Sequence, residues 1–214
     1  MDCRGHETRE KIVQDYKIKP EAHIKLLANQ TKYSDAKQTI KDEYYVFSAV
    51  RKSDHKKETI QCGMGAAREL LKLIKSDGLP LFNPLVVDSH NNTVDKQGNT
   101  GRINSQNETW DETAKQLYNA IMWLIILWDA KPDTPLFEFR DDVIRYKKVK
   151  PFDSKILRVN STIRNGGKGR TLTDMIDLYR ADNNIRDSIC NFDLLQSEIK
   201  HMKDKKGIVI ESYF

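Results

Sequence analysis

Apolar positions recur along this chain at two spacings, every second residue and every third or fourth, and the spacing names the element. Residues 6–41 read as helical, in two pieces separated at Pro20. A proline followed by Glu21 suits a helix start, and Ile24, Leu27 and Ala28 then share one face. Residues 43–50 (Glu, Tyr, Tyr, Val, Phe, Ser, Ala, Val) are rich in aromatic and β-branched types and form the strongest strand pattern. A polar turn over 52–57 leads to a weaker strand over 58–62, so a β-hairpin is expected across 43–62.

Ala67, Leu70, Leu71 and Ile74 predict a helix over 66–75, ended at Asp77 and Gly78. The Pro-rich stretch 79–84 leads into a short strand, 85–88. A polar tract over 89–109 follows, with Val94 and Ile103 its only large aliphatic residues. Loops of that length are uncommon unless functional or mobile, and a mobile segment that can be shortened at little cost to the fold is expected here. The helix predicted over 110–129 is apolar on nearly every side in its second half, which places it at the centre of the fold.

Pro132 and Pro135 stop that helix. Residues 136–150 fit either a strand or a helix, and 156–163 fit a strand. Leu172, Met175, Ile176 and Tyr179 define one helix. Ile185, Ile189, Phe192, Leu195, Ile199 and Met202 define a longer one, so carboxy-terminal helices fill 172–202, and 207–214 reads as a last strand. No repeat or shift in composition divides the chain. The expectation is one α+β domain over 1–214, a small, mostly antiparallel sheet packed on a buried central helix with further helices at the carboxy-terminal end.

Composition narrows the class. In 214 residues, 38% are hydrophobic and 31% charged, polar for a globular chain but with enough periodic apolar segments to fold. Lys and Arg number 36 against 31 Asp and Glu, a formal net charge of +5 that permits phosphate contact without demanding it. The longest apolar run, 120–128, falls well short of the roughly 20 residues that span a bilayer, so no membrane partner is expected. Three widely spaced cysteines, Cys3, Cys62 and Cys190, make no disulfide framework and no metal-ligand spacing. With a charged amino-terminal stretch in place of an apolar leader, they point to the cytoplasm.

Two segments carry candidate chemistry. In 164–171, Arg164, Gly166, Gly167, Lys168, Gly169, Arg170 and Thr171 combine backbone that a ligand can approach closely, two cations and a helix-capping threonine. Exposed amides at a helix start beside Lys168 and Arg170 suit a phosphate, although the spacing is not that of a Walker A loop. In 140–150, Arg145, Lys147 and Lys148 stand with Arg140 and Lys150, interleaved with Tyr146 and, just beyond, Phe152. Such clusters contact phosphates while planar side chains stack on bases.

Other patterns are weaker. Gly63 and Gly65 match two positions of a dinucleotide fingerprint, but Arg68 fills the third and the preceding strand is polar. Cys62, before a helix, has the position of a nucleophile but no histidine signature beside it. The carboxylate pairs Asp141 with Asp142, Asp111 with Glu112, and Asp174 with Asp177 are the residue types of a metal-dependent phosphodiesterase without its spacing. A helix-turn-helix across 182–184 lacks a glycine in its turn. The reading is therefore a nucleic-acid-associated protein, contacting DNA or RNA phosphate through the Gly-rich turn and the basic clusters. A non-catalytic protein–protein interaction module is the alternative, and a metal-dependent nuclease the third possibility. The sequence leaves any cofactor unknown and indicates no metal ligand set.

Overall fold

In the computed structural model, which describes residues 1–86 and 109–214, helix α1 (His6–Asp15) runs directly into strand β1 (Tyr16–Lys25). Strands β2 (Lys32–Tyr33) and β3 (Thr39–Ile40) pair with each other, and β4 (Glu43–Arg51) and β5 (Lys57–Gly63) form the expected hairpin. Helices α2 (Met64–Leu73), α3 (Glu112–Leu127), α4 (Pro135–Arg145), α5 (Asp153–Gly166), α6 (Leu172–Arg180) and α7 (Asp193–Lys200) complete the described chain. The fold is a single α+β domain with a small antiparallel sheet, ordered β1-β4-β5.

β4 is central and apolar on both faces, which is why it reads as a continuous hydrophobic run. Tyr44 and Val46 join the larger core, around Leu117, Ile121, Trp123 and Leu124 of α3. Tyr45, Phe47 and Ala49 join a second core with Ile12 of α1 and Ala67, Leu70 and Leu71 of α2. The sheet is thus clothed on both sides. The indole N–H of the fully buried Trp123 donates to Ile189 O at 3.1 Å, so α3 buries its largest side chain without an orphaned donor.

β1 is an edge strand whose alternation changes face halfway. Tyr16 and Ile18 pack on the second core, yet Ala22 and Ile24 belong to the larger one. The pairing explains the switch: Pro20 opposes Phe47 and Ala22 opposes Val46, leaving Glu21 as an inserted bulge residue. Glu21 is buried, and both its carboxylate and its carbonyl are engaged. Its Oε1 accepts from Ser48 Oγ at 2.7 Å, its Oε2 accepts from Arg140 Nη2 at 3.0 Å and Lys19 Nζ at 3.1 Å, and its carbonyl accepts from Arg140 Nη1. Arg140 Nε donates to Asp141 Oδ1 at 2.9 Å. Burial opposes ionisation of Asp141, but Arg140 and Lys19 outweigh it and hold the carboxyl below its ordinary value of 3.8. Its contribution to stability is therefore present above that value and is lost as the pH falls through the lower folded one.

Several expectations are corrected. The stretch 6–41 is not helical throughout: after Asp15 it is strand, because residues 16–25 alternate at period two and Pro20 sits where an edge strand bulges. Residues 136–145 resolve as helix, within α4 with Pro135 at its first turn, and 146–150 as the turn that follows it. Residues 156–163 are helical, since Ile156, Val159, Asn160 and Ile163 bury one face at helical spacing despite their β-branched content. The long helix expected over 185–202 is broken: Ile185 pairs with Leu85, a 3₁₀ turn spans Asp187–Ile189, and Asn191 Oδ1 accepts from Asp193 N at 2.9 Å where α7 begins. The segment 207–214 is no sheet strand. Its backbone pairs with side chains and helix ends, Tyr213 N donating to Asn160 Oδ1 at 2.7 Å and Asn160 Nδ2 to Glu211 O at 2.8 Å. The polar tract over 89–109 lies, Thr109 apart, outside the described residues.

Replacing Arg140 tests the role of the bulge contact. Arg140→Leu takes from the buried Glu21 carboxylate the more buried of its two cations, leaving only the half-exposed Lys19, and is expected to lower unfolding free energy by about 3 kcal/mol, read from urea denaturation. A loss under about 1 kcal/mol would show that the pair contributes no more than a surface ion pair.

Candidate functional site

Helix α5 separates the two basic segments singled out in the sequence. Its fourteen residues span about 20 Å at 1.5 Å per residue. The cluster around Lys148 lies before its first turn and the Gly-rich turn follows its last. The structure does not bring them into one site.

At the carboxy-terminal end of α5 the glycines have packing roles. A Cβ on Gly166 would stand 2.6 Å from the Trp128 ring, and one on Gly167 would stand 2.6 Å from Arg170 O and 2.7 Å from Ile163 O. Lys168 and Gly169 both take positive φ, 53° and 82°, which turns the chain into α6. The amides at that helix start are engaged by the chain itself. Thr171 Oγ1 accepts from Asp174 N at 3.0 Å, Asp174 Oδ2 accepts from Thr171 N at 2.9 Å, and Leu172 N donates to Tyr213 O at 2.7 Å. Those hydrogen bonds from Thr171 hold the Asp174 carboxyl below the usual range. The carboxylate stands where a phosphate was expected, leaving Arg164, Lys168 and Arg170 as exposed cations around an occupied helix start.

At the amino-terminal end, residues 146–152 form an elbow between α4 and α5. Tyr146 is 52% exposed, Val149 62% and Phe152 73%. Cations surround them. Lys155 Nζ lies 4.9 Å from the Tyr146 ring centroid and 5.6 Å from that of Phe152, paired with Asp142. Lys147 Nζ lies 5.8 Å from the Trp110 ring, and Lys150 pairs with Glu198 at 2.8 Å. Its hydrogen bond to the Glu198 carboxylate raises the Lys150 ammonium above its ordinary pKa, so it stays charged at any physiological pH. Lys148 is exposed and makes no ion pair among the described residues. Lys147 O accepts from Asp111 N at 2.8 Å, tying the elbow to the start of α3.

Two connected hollows flank this elbow. One, about 220 Å³, is lined by Ala114, Val143, Tyr146, Val149, Phe152 and Lys155. The other, about 580 Å³, shares Asp142, Val143 and Lys155 and continues between α4 and α5 over Leu117, Ile121 and Phe139. Arg145 turns the other way. It lines a separate cavity of about 340 Å³ between α4 and β1, beside Lys19, Arg140 and Met122. Tyr146 and Lys150 thus line one hollow, with Lys147 and Lys148 on the same elbow, and Arg145 lines a different cavity. Phe152 and Lys155 complete the elbow. Lys155 is the member that sequence spacing missed, because 156–163 read as a strand and Lys155 lay outside the basic run.

The remaining candidates have structural roles. Cys62 is fully buried against Cys3, whose thiol hydrogen-bonds it, and that contact together with burial drives the Cys62 thiol far above its ordinary pKa, opposite to what a nucleophile needs. Asp111 caps α3 by accepting from Ala114 N at 2.9 Å, and Asp177 pairs with Arg180. Among the described residues no group of three or more His, Cys, Asp and Glu side chains is arranged to hold a metal ion, and no helix is long and apolar enough to cross a membrane. Asn183, in the turn between α6 and the 3₁₀ segment, is buried and accepts from Ala28 N at 2.6 Å, so that turn is tied to the connection after β1.

The packing role of the glycines is testable. Gly167→Ala forces its methyl against two carbonyl oxygens and is expected to destabilise the fold by about 1–3 kcal/mol, measured by thermal or urea unfolding. A neutral or stabilising effect would mean that the turn relaxes freely and that its glycines are there for some other reason.

No curated protein and no solved structure matches this chain. The model of the family described as Uncharacterised conserved protein UCP028583 matches residues 1–208, and the chain belongs to that family.

Proposed function

We propose that this protein binds nucleic acid, with the α4–α5 elbow contacting phosphate through Lys147, Lys148, Lys150 and Lys155. One observation carries the reading: three large apolar side chains, Tyr146, Val149 and Phe152, stand exposed within a single turn of chain that also holds three lysines. Exposed aromatic rings cost free energy in water unless a partner covers them, and lysines beside them select an anionic partner. Lys150 and Lys155 exchange their carboxylate partners for phosphate on binding, and Lys148 contributes without giving up any ion pair among the described residues. Lys168 and Arg170, at the far end of α5, are outlying cations that add to the field. Three unbridged thiols fit a reducing, cytoplasmic setting for such a protein.

A second reading, docking of a protein segment, draws on the apolar hollow over Leu117, Ile121 and Phe139. It predicts binding that survives high salt, because burial of apolar surface is not screened.

The electrostatic reading predicts the opposite. Affinity for a mixed-sequence DNA or RNA is expected to fall steeply with salt, and Lys148→Ala with Lys150→Ala to reduce the slope of log K against log salt by about 1.4–1.8. Lys168→Ala with Arg170→Ala is expected to have the smaller effect. Binding that is absent at low salt, or a slope unchanged by the elbow substitutions, would remove the proposal.

A further inference from the structure

The elbow is shaped for more than phosphate, and its rings distinguish between forms of nucleic acid. We infer that the elbow takes a single-stranded polynucleotide, with one unpaired base stacked on Phe152 and seated towards the hollow beside Tyr146; this rests on the nucleic-acid reading above. Phe152 occupies the amino-terminal cap position of α5, makes no capping hydrogen bond with its side chain and is the most exposed large hydrophobic residue described. Its ring is not left there by a shortage of core. Ile156, one turn later, is completely buried, so the helix is anchored by other residues and Phe152 is held outward by a rigid support.

The ring is also electrostatically prepared on one side only. Lys155 Nζ lies over both Tyr146 and Phe152, fixed from behind by Asp142, so a cation covers one face of each ring. With the residue 73% exposed, Phe152 has ring surface to offer a planar group. The hollow beside it, about 220 Å³, lies below the roughly 300–1,000 Å³ of pockets that enclose drug-sized ligands and has room for one ring system rather than a whole nucleotide. It is lined by Val143, Val149, Tyr146 and the Ala114 methyl together with the charged Lys150, Lys155 and Asp142. Such a lining offers apolar surface to a base and cations to its phosphate. Lys148 and Lys150 precede Phe152 within four residues of the chain and Lys155 follows three residues after it, so cations lie close to it along the chain in both directions.

A duplex uses this surface poorly. Its bases are already stacked on one another and paired, so Phe152 and Val149 would be pressed against backbone with nothing to stack on, and only the lysines would gain. A single strand satisfies both features at once. Pyrimidine-rich strands are the natural probe, because their bases unstack from one another most readily.

The experiment compares a fluorescent oligothymidylate of about twelve nucleotides, within the roughly 4–16 covered by single-strand binding modules, with a duplex of the same length. Anisotropy titrations at low salt use the full chain, Phe152→Leu and Phe152→Trp. Because Phe152 lies on the surface, both variants are expected to keep the parent's thermal unfolding midpoint. The single strand is expected to bind more tightly than the duplex, Phe152→Leu to weaken it roughly 5- to 140-fold, and Phe152→Trp to restore or improve it. Duplex affinity is expected to be unmoved by either change. Equal binding of the two forms, with no dependence on Phe152, would overturn the stacking inference and leave phosphate contact standing. Binding of neither form at low salt would overturn both readings. Displacement of the oligonucleotide by polyglutamate as effectively as by unlabelled oligothymidylate would also overturn the inference, by showing that the site answers to charge, or to an acidic protein segment, rather than to a base.

Discussion

A single inserted residue, Glu21, ties the two halves of this molecule together. The bulge it forms turns β1 over, so that Tyr16 and Ile18 serve the core under α1 and α2 while Ala22 and Ile24 serve the core around α3. An uninterrupted strand would commit all its apolar residues to one face and leave the other core short of a wall. The same residue receives Arg140 on both its carboxylate and its carbonyl, and so fixes α4 against the sheet. A buried ion pair gains little net energy over an apolar replacement, but losing one partner is expensive. Its consequence here is positional. α4 is held at its middle by Glu21, and the elbow that follows is held at Lys147 O by Asp111 N, so the exposed rings of Tyr146 and Phe152 are presented on a braced support.

The two basic segments illustrate how similar sequence patterns reach different ends. At the Gly-rich turn, the glycines answer to Trp128 and to two carbonyl oxygens, and the helix start is closed by Thr171 and Asp174. Gly166, Gly167 and the amides of that helix start all have partners within the chain. At the elbow the reverse holds: the lysines have carboxylate or ring partners in part, but Tyr146, Val149 and Phe152 have no core to enter. Chemistry left unsatisfied by the fold is the stronger pointer to an outside ligand, and it favours the elbow.

How legible this was depended on whether one period dominated locally. The β4–β5 hairpin, the buried helix over Trp123 and the helix starting at Leu172 were all readable, because packing and propensity agree there. β1 was misread because Ile24, Leu27 and Ala28 match a helical face by chance, while the true alternation of Tyr16, Ile18, Ala22 and Ile24 is masked by a proline and by a bulge that no spacing rule anticipates. α5 was misread for the opposite reason: Ile156, Val159, Thr162 and Ile163 look like strand residues by type, and only their spacing betrays the helix. At the candidate site, Lys147, Lys148 and Tyr146 were visible as a basic run with an aromatic within it. Lys155 was not, since its approach to both rings requires α5 to begin at Asp153. That Asp174 closes the Gly-rich turn was implicit in the threonine–acid spacing from Thr171, a capping box that also describes how a helix start loses its capacity for an anion.

The most direct measurement is a map of where a nucleic acid touches the chain. In an NMR titration of nitrogen-15-labelled protein with single-stranded oligothymidylate, the account predicts amide shift changes concentrated at Tyr146, Lys148, Lys150, Phe152 and Lys155, with the turn from Gly167 to Thr171 little affected. Changes centred on Lys168 to Thr171, with the elbow silent, would contradict it, as would an unchanged spectrum at low salt.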